Sequence, residues 1–320
     1  MIKKVVLFLA VLLIFFYGYS FISLITSQQY VSNTFTAPIP KLLVNTFLQN
    51  ETGVLWRPNV KKAASSSEIK PVITAKSALT YDLTDEKLLY SKGIHEKLPL
   101  ASLTKIMTAI IALDSIPLDQ KITVTESAST IGENSMGLSR GEMLTLSELL
   151  YGLILHSGND AAETIAQNSP FGRENFVYLM NKKAEELGLS NTRFTNPSGL
   201  EGDGTQYSTV YDLLVITKHA LGYPEFAKVA STVEHVIPYT SEHKAFYLYN
   251  ETNLLTSYPG VKGVKTGYTE EAGLCLVTYL EYKGHKIIGV VLNSASRRSE
   301  MAEILDYSLK TLGVTPPPHG

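Results

Sequence analysis

The chain has 320 residues, 44% of them hydrophobic and 18% charged, with a formal net charge of -2. That composition supports a packed core and excludes a largely disordered chain, and it offers no basic face to neutralise phosphates, which argues against a nucleic-acid partner. Cys275 is the only cysteine and the 7 histidines form no HExxH-like pair, so no disulfide, metal ion or other cofactor is expected.

The N-terminus opens with Lys3 and Lys4, followed by residues 5–26, which carry no charge. At ~1.5 Å rise per residue that stretch is long enough to cross a hydrocarbon layer of ~30 Å. Basic residues ahead of it place the rest of the chain outside the cytoplasm. The expectation for residues 1–26 is a retained membrane anchor or, if cleaved, a signal segment. Residues 27–70, with Pro38, Pro40, Pro58 and a polar run at 61–67, read as a stem.

The folded domain is expected over 71–312. Residues 72–81 and 87–90 flank a turn-forming segment and predict a β-hairpin. From Ser102 to Leu113 the apolar residues Leu103, Ile106, Met107, Ile110 and Leu113 recur at helical spacing nearly all round, which describes a buried central helix. Thr145-Leu146-Ser147-Glu148 matches a capping box and opens an apolar helix through Leu155. Further helices are predicted over 160–167, 176–187 and 210–221, the last two ended by Gly188 and Gly222. Strands return at 263–269, 273–280 and 286–293, the last two joined as a hairpin, before a final helix over 298–312. Cys275, in an apolar run without a nearby base, reads as a small buried hydrophobe. Strands, a helical block, then strands and a helix give the α+β class, an antiparallel sheet flanked by helices. The Pro-rich tail, 313–320, is expected to be disordered.

Chemistry enters with Ser102-Leu103-Thr104-Lys105, which sets an amine one helical turn from a hydroxyl. A serine attacks only when a neighbour takes its proton, and a lysine desolvated in an apolar site is such a base. The pattern S-x-x-K alone is weak: it also occurs at Ser67 and Ser241. Only Ser102 opens a buried helix. Ser157-Gly158-Asn159 lies between two helices, where it is either a pair of polar groups on rigid supports or a helix C-cap followed by an N-cap. Lys265-Thr266-Gly267 lies in a strand whose lysine and threonine suit a carboxylate, or else it is an edge strand with an exposed lysine.

Together, in this order and 55 and 108 residues apart, the three elements match the S-x-x-K, S-x-N and K-T-G signature of penicillin-binding proteins. The chain resembles the D-alanyl-D-alanine carboxypeptidase family of low-molecular-mass penicillin-binding proteins over roughly residues 75–310. Flanking residues carry the same resemblance, among them Asn196-Pro197-Ser198-Gly199-Leu200. The resemblance implies a β-lactamase/transpeptidase-like fold with a mainly helical subdomain, peptidoglycan stem peptides as substrate and β-lactams as inhibitors. It implies that Ser102 acylates, Lys105 is its base, and Ser157 and Asn159 relay protons and hold the substrate amide. Lys265 and Thr266 would bind the terminal carboxylate, Gly267 would admit the substrate backbone, and the amides of Ser102 and Tyr268 would form an oxyanion hole. Arg297 resembles the family's further carboxylate-binding arginine, with Arg298 the other candidate and a solvated helix-start cation the alternative for both. Two competing readings are a class A-like β-lactamase and a silent peptidoglycan-binding protein. The first lacks an E-x-x-L-N segment and has S-G-N as its second motif; the second is at odds with an intact Ser102, Lys105 and Lys265.

Overall fold

The computed structural model of the chain describes residues 55–61, 64 and 67–319. The hydrophobic N-terminal segment, residues 1–26, lies outside them. Among the described residues no helix is long and apolar enough to cross a membrane.

A five-stranded antiparallel sheet is built from β1 (Ser77–Asp82), β2 (Lys87–Lys92), β7 (Val261–Thr269), β8 (Gly273–Tyr282) and β9 (His285–Ser294), in the order β2-β1-β9-β8-β7. Joining the first strands to the last places the two ends of the domain side by side. Ser77 pairs with Leu292 and Asp82 with Ile287 across β1 and β9. Period two then sends alternate side chains to opposite faces. In β9, Ile287 and Val291 face one core with Met301, Ile304, Leu305 and Leu309 of the last helix, while Ile288, Val290 and Leu292 belong to the larger core shared with the helices.

The helical block comprises α1 (Thr104–Ser115), the short α2 (Glu126–Ser129), α3 (Leu146–Ile154), α4 (Asn159–Gln167), α5 (Gly172–Glu186), α6 (Val210–Ala220) and α7 (Pro224–Ala230). α1 packs against α3, α4, α5 and α6, and every residue from Thr104 to Ala112 is buried, as its all-round apolar pattern requires. The capping box of α3 forms, with the Thr145 hydroxyl accepting from the Glu148 amide and the Glu148 carboxylate accepting from the Thr145 amide. α4 begins at Asn159, with Gly158 at its cap. Two small antiparallel pairs went unpredicted: β3 (Lys121–Thr123) with β4 (Met143–Thr145), and β5 (Glu234–Ile237) with β6 (Phe246–Tyr249). Both are too short for a period to register. The single turn α8 (Leu254–Ser257) leads into β7, and α9 (Arg297–Thr311) closes the outer face of the sheet.

Three differences from expectation bear on how the domain begins and ends. The first strand starts at Ser77, and Val72 is exposed. The end of the expected stem packs on the domain: the Trp56 ring meets Tyr81 edge-on at 5.8 Å, and the Ala64 amide donates to the Leu88 carbonyl at 2.9 Å. The tail expected to be disordered has a seat as well, because His319 stacks on Tyr258 at 4.4 Å and bonds Asp306 at 2.9 Å.

The start of α9 is fastened by Glu300, whose buried carboxylate accepts from the amides of Thr74 and Ala75 and from the Ser294 hydroxyl. Burial pushes its pKa up, but these donors outweigh burial and hold the carboxyl below the usual range. A carboxyl whose pKa folding depresses adds stability that is present above the unfolded value and lost as pH falls through the folded one. Glu300→Gln should therefore be less stable near neutral pH by roughly 1.5–3 kcal/mol. In denaturant titrations the gap to the wild type should narrow below about pH 4, where carboxylates protonate; an equal gap at both pH values would rule out the charge as its cause.

Candidate active site

Ser102 lies in a 3₁₀ turn, Ala101–Leu103, that runs directly into α1. The residue before it, Ala101, has φ +48, a left-handed conformation that a side chain adopts only under constraint. The constraint is visible in the glycines around it. A Cβ at Gly199, itself at φ +90, would lie 1.9 Å from the Ala101 carbonyl oxygen. One at Gly267 of β7 would lie 3.1 Å from the Leu100 oxygen and 3.2 Å from the Ser102 nitrogen. Glycine at these two positions lets a loop and a strand close on the turn that presents the serine. Tyr268, the next residue of β7, is mostly exposed.

Lys105 is fully buried. Its Nζ is 2.8 Å from Ser102 Oγ, 2.7 Å from Asn159 Oδ1 and 2.7 Å from the Ser198 carbonyl oxygen. Two of these three partners are acceptors only. A neutral amine has two N–H groups, which Asn159 and Ser198 take, and its lone pair then faces the Ser102 hydroxyl. Burial, and after it the charge of Lys265, pushes the Lys105 amine well below the usual lysine range. The arrangement can therefore take a proton from Ser102.

Asn159 is fixed from both sides. Its Nδ2 donates to the Gly132 carbonyl at 3.0 Å and its backbone amide to the Asn134 carbonyl at 2.8 Å. Ser157, also at positive φ (+57), is buried at the bend between α3 and α4. The capping alternative, a helix C-cap followed by an Asn N-cap, does not hold: α3 is capped at Leu155 and α4 at Gly158 without a side-chain bond, and the Asn159 side chain reaches Lys105 instead.

Lys265 is buried in β7 although β7 is the edge strand, so the reading of an exposed edge lysine does not hold. Its Nζ is 3.1 Å from the Thr266 carbonyl oxygen. Burial pushes Lys265 down to about 8, opposed by Glu251 and assisted by Arg297. Thr266 Oγ1 donates to Glu251 Oε2 at 3.3 Å. Of the arginine pair, Arg297 reaches this strand: its Nη1 donates to the Gly267 carbonyl at 2.7 Å. Arg298 instead lines a separate cavity of about 390 Å³ together with Leu254, Asp306 and His319. Ser67 and Ser241, the other S-x-x-K serines, are exposed.

Sequence reasoning missed three contributors. The Ser198 carbonyl is a backbone group with no residue-type signal, although the surrounding N-P-S-G-L segment is legible; its turn is held by Asn196 Oδ1, which accepts from the amides of Ser198 at 3.2 Å and Gly199 at 2.7 Å. Glu251 follows β6, a strand that was not foreseen. Asp160 is buried beneath the loop beside the site, where it accepts from the Ser135 hydroxyl and from the amides of Met136, Gly137, Leu138 and Ala161.

Residues 62–296 match the D-alanyl-D-alanine carboxypeptidase family model. The chain is similar to the D-alanyl-D-alanine carboxypeptidase DacF of Bacillus subtilis, 38% identical over 242 residues, which cover 73% of this chain and 62% of the relative. Among solved structures it is similar to the Streptomyces K15 DD-transpeptidase, at a TM-score of 0.72 and 33% identity, covering 76% of this chain and 100% of that one. It is also similar to penicillin-binding protein D2 of Listeria monocytogenes in its cefotaxime-bound form, at a TM-score of 0.67 and 26% identity over 76% of this chain and 100% of the other.

The role of Asp160 is open to a direct check. Asp160→Ala leaves four loop donors without their acceptor and should cost roughly 1.5–3 kcal/mol. Hydrogen exchange at Met136, Gly137 and Leu138 should accelerate while the amides of the β8–β9 ladder keep their protection. Unchanged exchange at those three amides would mean that the loop is held by something else.

Proposed function

We propose that this chain, which belongs to the D-alanyl-D-alanine carboxypeptidase family, removes the terminal D-alanine from peptidoglycan stem peptides through an acyl-enzyme on Ser102. The aligned part of the chain spans 62% of the length of the Bacillus subtilis relative, and the reading concerns the catalytic domain. The observation that carries it is the placement of one buried amine within 2.8 Å of the Ser102 hydroxyl, beside a second buried lysine on an edge strand.

In this mechanism the peptide lies along β7, its terminal carboxylate at Lys265 and Thr266 with Arg297 behind, and its scissile carbonyl oxygen between the amides of Ser102 and Tyr268. Ser102 Oγ attacks the carbonyl carbon as its proton passes to the neutral Lys105 Nζ. The tetrahedral intermediate collapses with cleavage of the C–N bond, and the departing D-alanine nitrogen takes a proton relayed from Lys105 through Ser157. Asn159 holds Lys105 and the substrate amide. Water then attacks the ester, giving its proton to the same amine, and free Ser102 returns. The hydrophobic segment of residues 1–26 anchors this domain on the outer side of the membrane. β-Lactams, which also present a carboxylate and a strained amide, acylate the same serine. The Streptomyces K15 neighbour is named a transpeptidase, so the acyl group has a second chemical destination, an acceptor amine in place of water.

The test uses a pentapeptide stem ending in D-alanyl-D-alanine and measures released D-alanine. Ser102→Ala should abolish release and covalent penicillin labelling alike, with unchanged folding, whereas Ser67→Ala and Ser241→Ala should behave as wild type. Labelling on a peptide that lacks Ser102 would end the proposal. Adding an acceptor amine separates hydrolysis from transfer by the products formed.

The two lysines make opposite demands on pH. Lys105 must be neutral, so activity rises as pH climbs past its lowered pKa; Lys265 must be charged, so activity falls as pH climbs past about 8. A bell-shaped dependence of kcat/KM is expected, with each limb changing tenfold per pH unit at its extreme. An activity that keeps rising well above pH 8 would exclude a binding role for protonated Lys265.

A further inference from the structure

Three basic side chains converge at the site proposed above, Lys105 as the neutral base and Lys265 and Arg297 as the cations of the carboxylate-binding wall. Lys265 projects from β7, Lys105 from α1 and Arg297 from α9, and burial disfavours the charge on each. The two that act as cations, Lys265 and Arg297, need an anion close by when buried in this way. Asp160 acts on Lys105 but is already committed to five donors, and Glu133 acts on Lys105 alone of the three. Glu251 is the carboxylate that acts on all three.

Its position is built rather than incidental. The Glu251 amide donates to the Leu155 carbonyl at the end of α3, at 3.1 Å. One carboxylate oxygen accepts from Asn134 Nδ2 at 3.0 Å, and the other from Thr266 Oγ1 at 3.3 Å. Asn134 in turn carries, on its carbonyl, the amide of Asn159. A single side chain therefore spans the cleft between the helical side, where Ser157 and Asn159 sit, and the K-T-G strand.

We propose that Glu251 is a positioning residue of this site, one that ties the Thr266 hydroxyl of β7 to the Asn134 loop and serves as the counter-charge that keeps Lys265 cationic for the substrate's terminal carboxylate. The proposal rests on the carboxypeptidase reading and deepens it. Glu251 does not touch the reacting atoms. Its charge sets the pH up to which the wall binds a carboxylate, and its two hydrogen bonds set the separation of the cleft walls.

The experiment is the pH dependence of kcat and KM on the stem peptide for wild type, Glu251→Gln and Glu251→Asp. In Glu251→Gln the alkaline limb should move to lower pH by about one unit, the size expected on losing one nearby opposite charge. The loss should fall on KM more than on kcat, because the carboxylate contact is made in the bound substrate and the transition state alike. Glu251→Asp, which keeps the charge, should hold the limb near that of the wild type. A wild-type protein with an alkaline limb that Glu251→Gln leaves in place would overturn the proposal while leaving the carboxypeptidase reading intact. A wild type that releases no D-alanine would instead remove the reading beneath it. Should Glu251→Gln be too unstable to assay, Asn134→Ala tests the other half: the charge remains, so the limb should stay while KM rises. A limb that shifted in Asn134→Ala, or a KM that did not change, would overturn the proposal.

Discussion

An amine with no exposure to solvent, held between an asparagine oxygen, a carbonyl oxygen and a serine hydroxyl, is the constraint around which this molecule is organised. Charged, Lys105 would sit in a desolvated pocket beside a second buried lysine, an arrangement that costs several kcal/mol even after relaxation. Neutral, it satisfies each partner with two N–H groups and one lone pair. That balance requires α1 to be buried all round, so that water does not solvate the ammonium. It also requires α4 to deliver Asn159 and the 196–200 loop to deliver a backbone oxygen, at 2.7 Å in both cases.

The two lysines show how burial is used in opposite senses within one cleft. Both are desolvated. For Lys105 the neighbouring charge of Lys265 adds to the loss of hydration and pushes the amine's pKa further down; for Lys265 the nearby Glu251 works against it. In the proposed mechanism the same chemical group serves as a proton acceptor on one wall and as an anion receptor on the other, a separation that the proposed role of Glu251 explains. Arg297 contributes through the Gly267 carbonyl, which fixes it behind the strand.

Backbone strain is found at the same place. Ala101 and Ser157 are non-glycine residues at positive φ, and each adjoins or carries a group of the site. Such residues cost on the order of 1 kcal/mol or more and persist where the surroundings over-determine them. Here the surroundings are β7 and the 196–200 loop, which close on the Ala101–Leu103 turn at two glycines, and the sheet beyond, whose strands come from both ends of the domain. The sheet gives the edge strand a fixed position, and the helical block gives the serine one; the cleft is the line where they meet.

Much of this was legible in the sequence because it is local. The period of α1 declared a helix without a solvent face, the Thr145 to Glu148 spacing declared a cap, and the alternation in 273–293 declared a hairpin. Three short motifs in order carried the resemblance that named Ser102, Lys105, Ser157, Asn159, Lys265, Thr266, Gly267, Tyr268 and Arg297. Context in the sequence already singled out Ser102 among the three S-x-x-K serines; tertiary structure alone decided which of two adjacent arginines turns toward the strand, and that the lysine of an edge strand is buried. It alone brought in Glu251, Asp160 and the Ser198 carbonyl. The physical reason is the same for all of these: burial, and the distance between charges far apart in the chain, arise only when separate elements pack, and no local period or residue type records them.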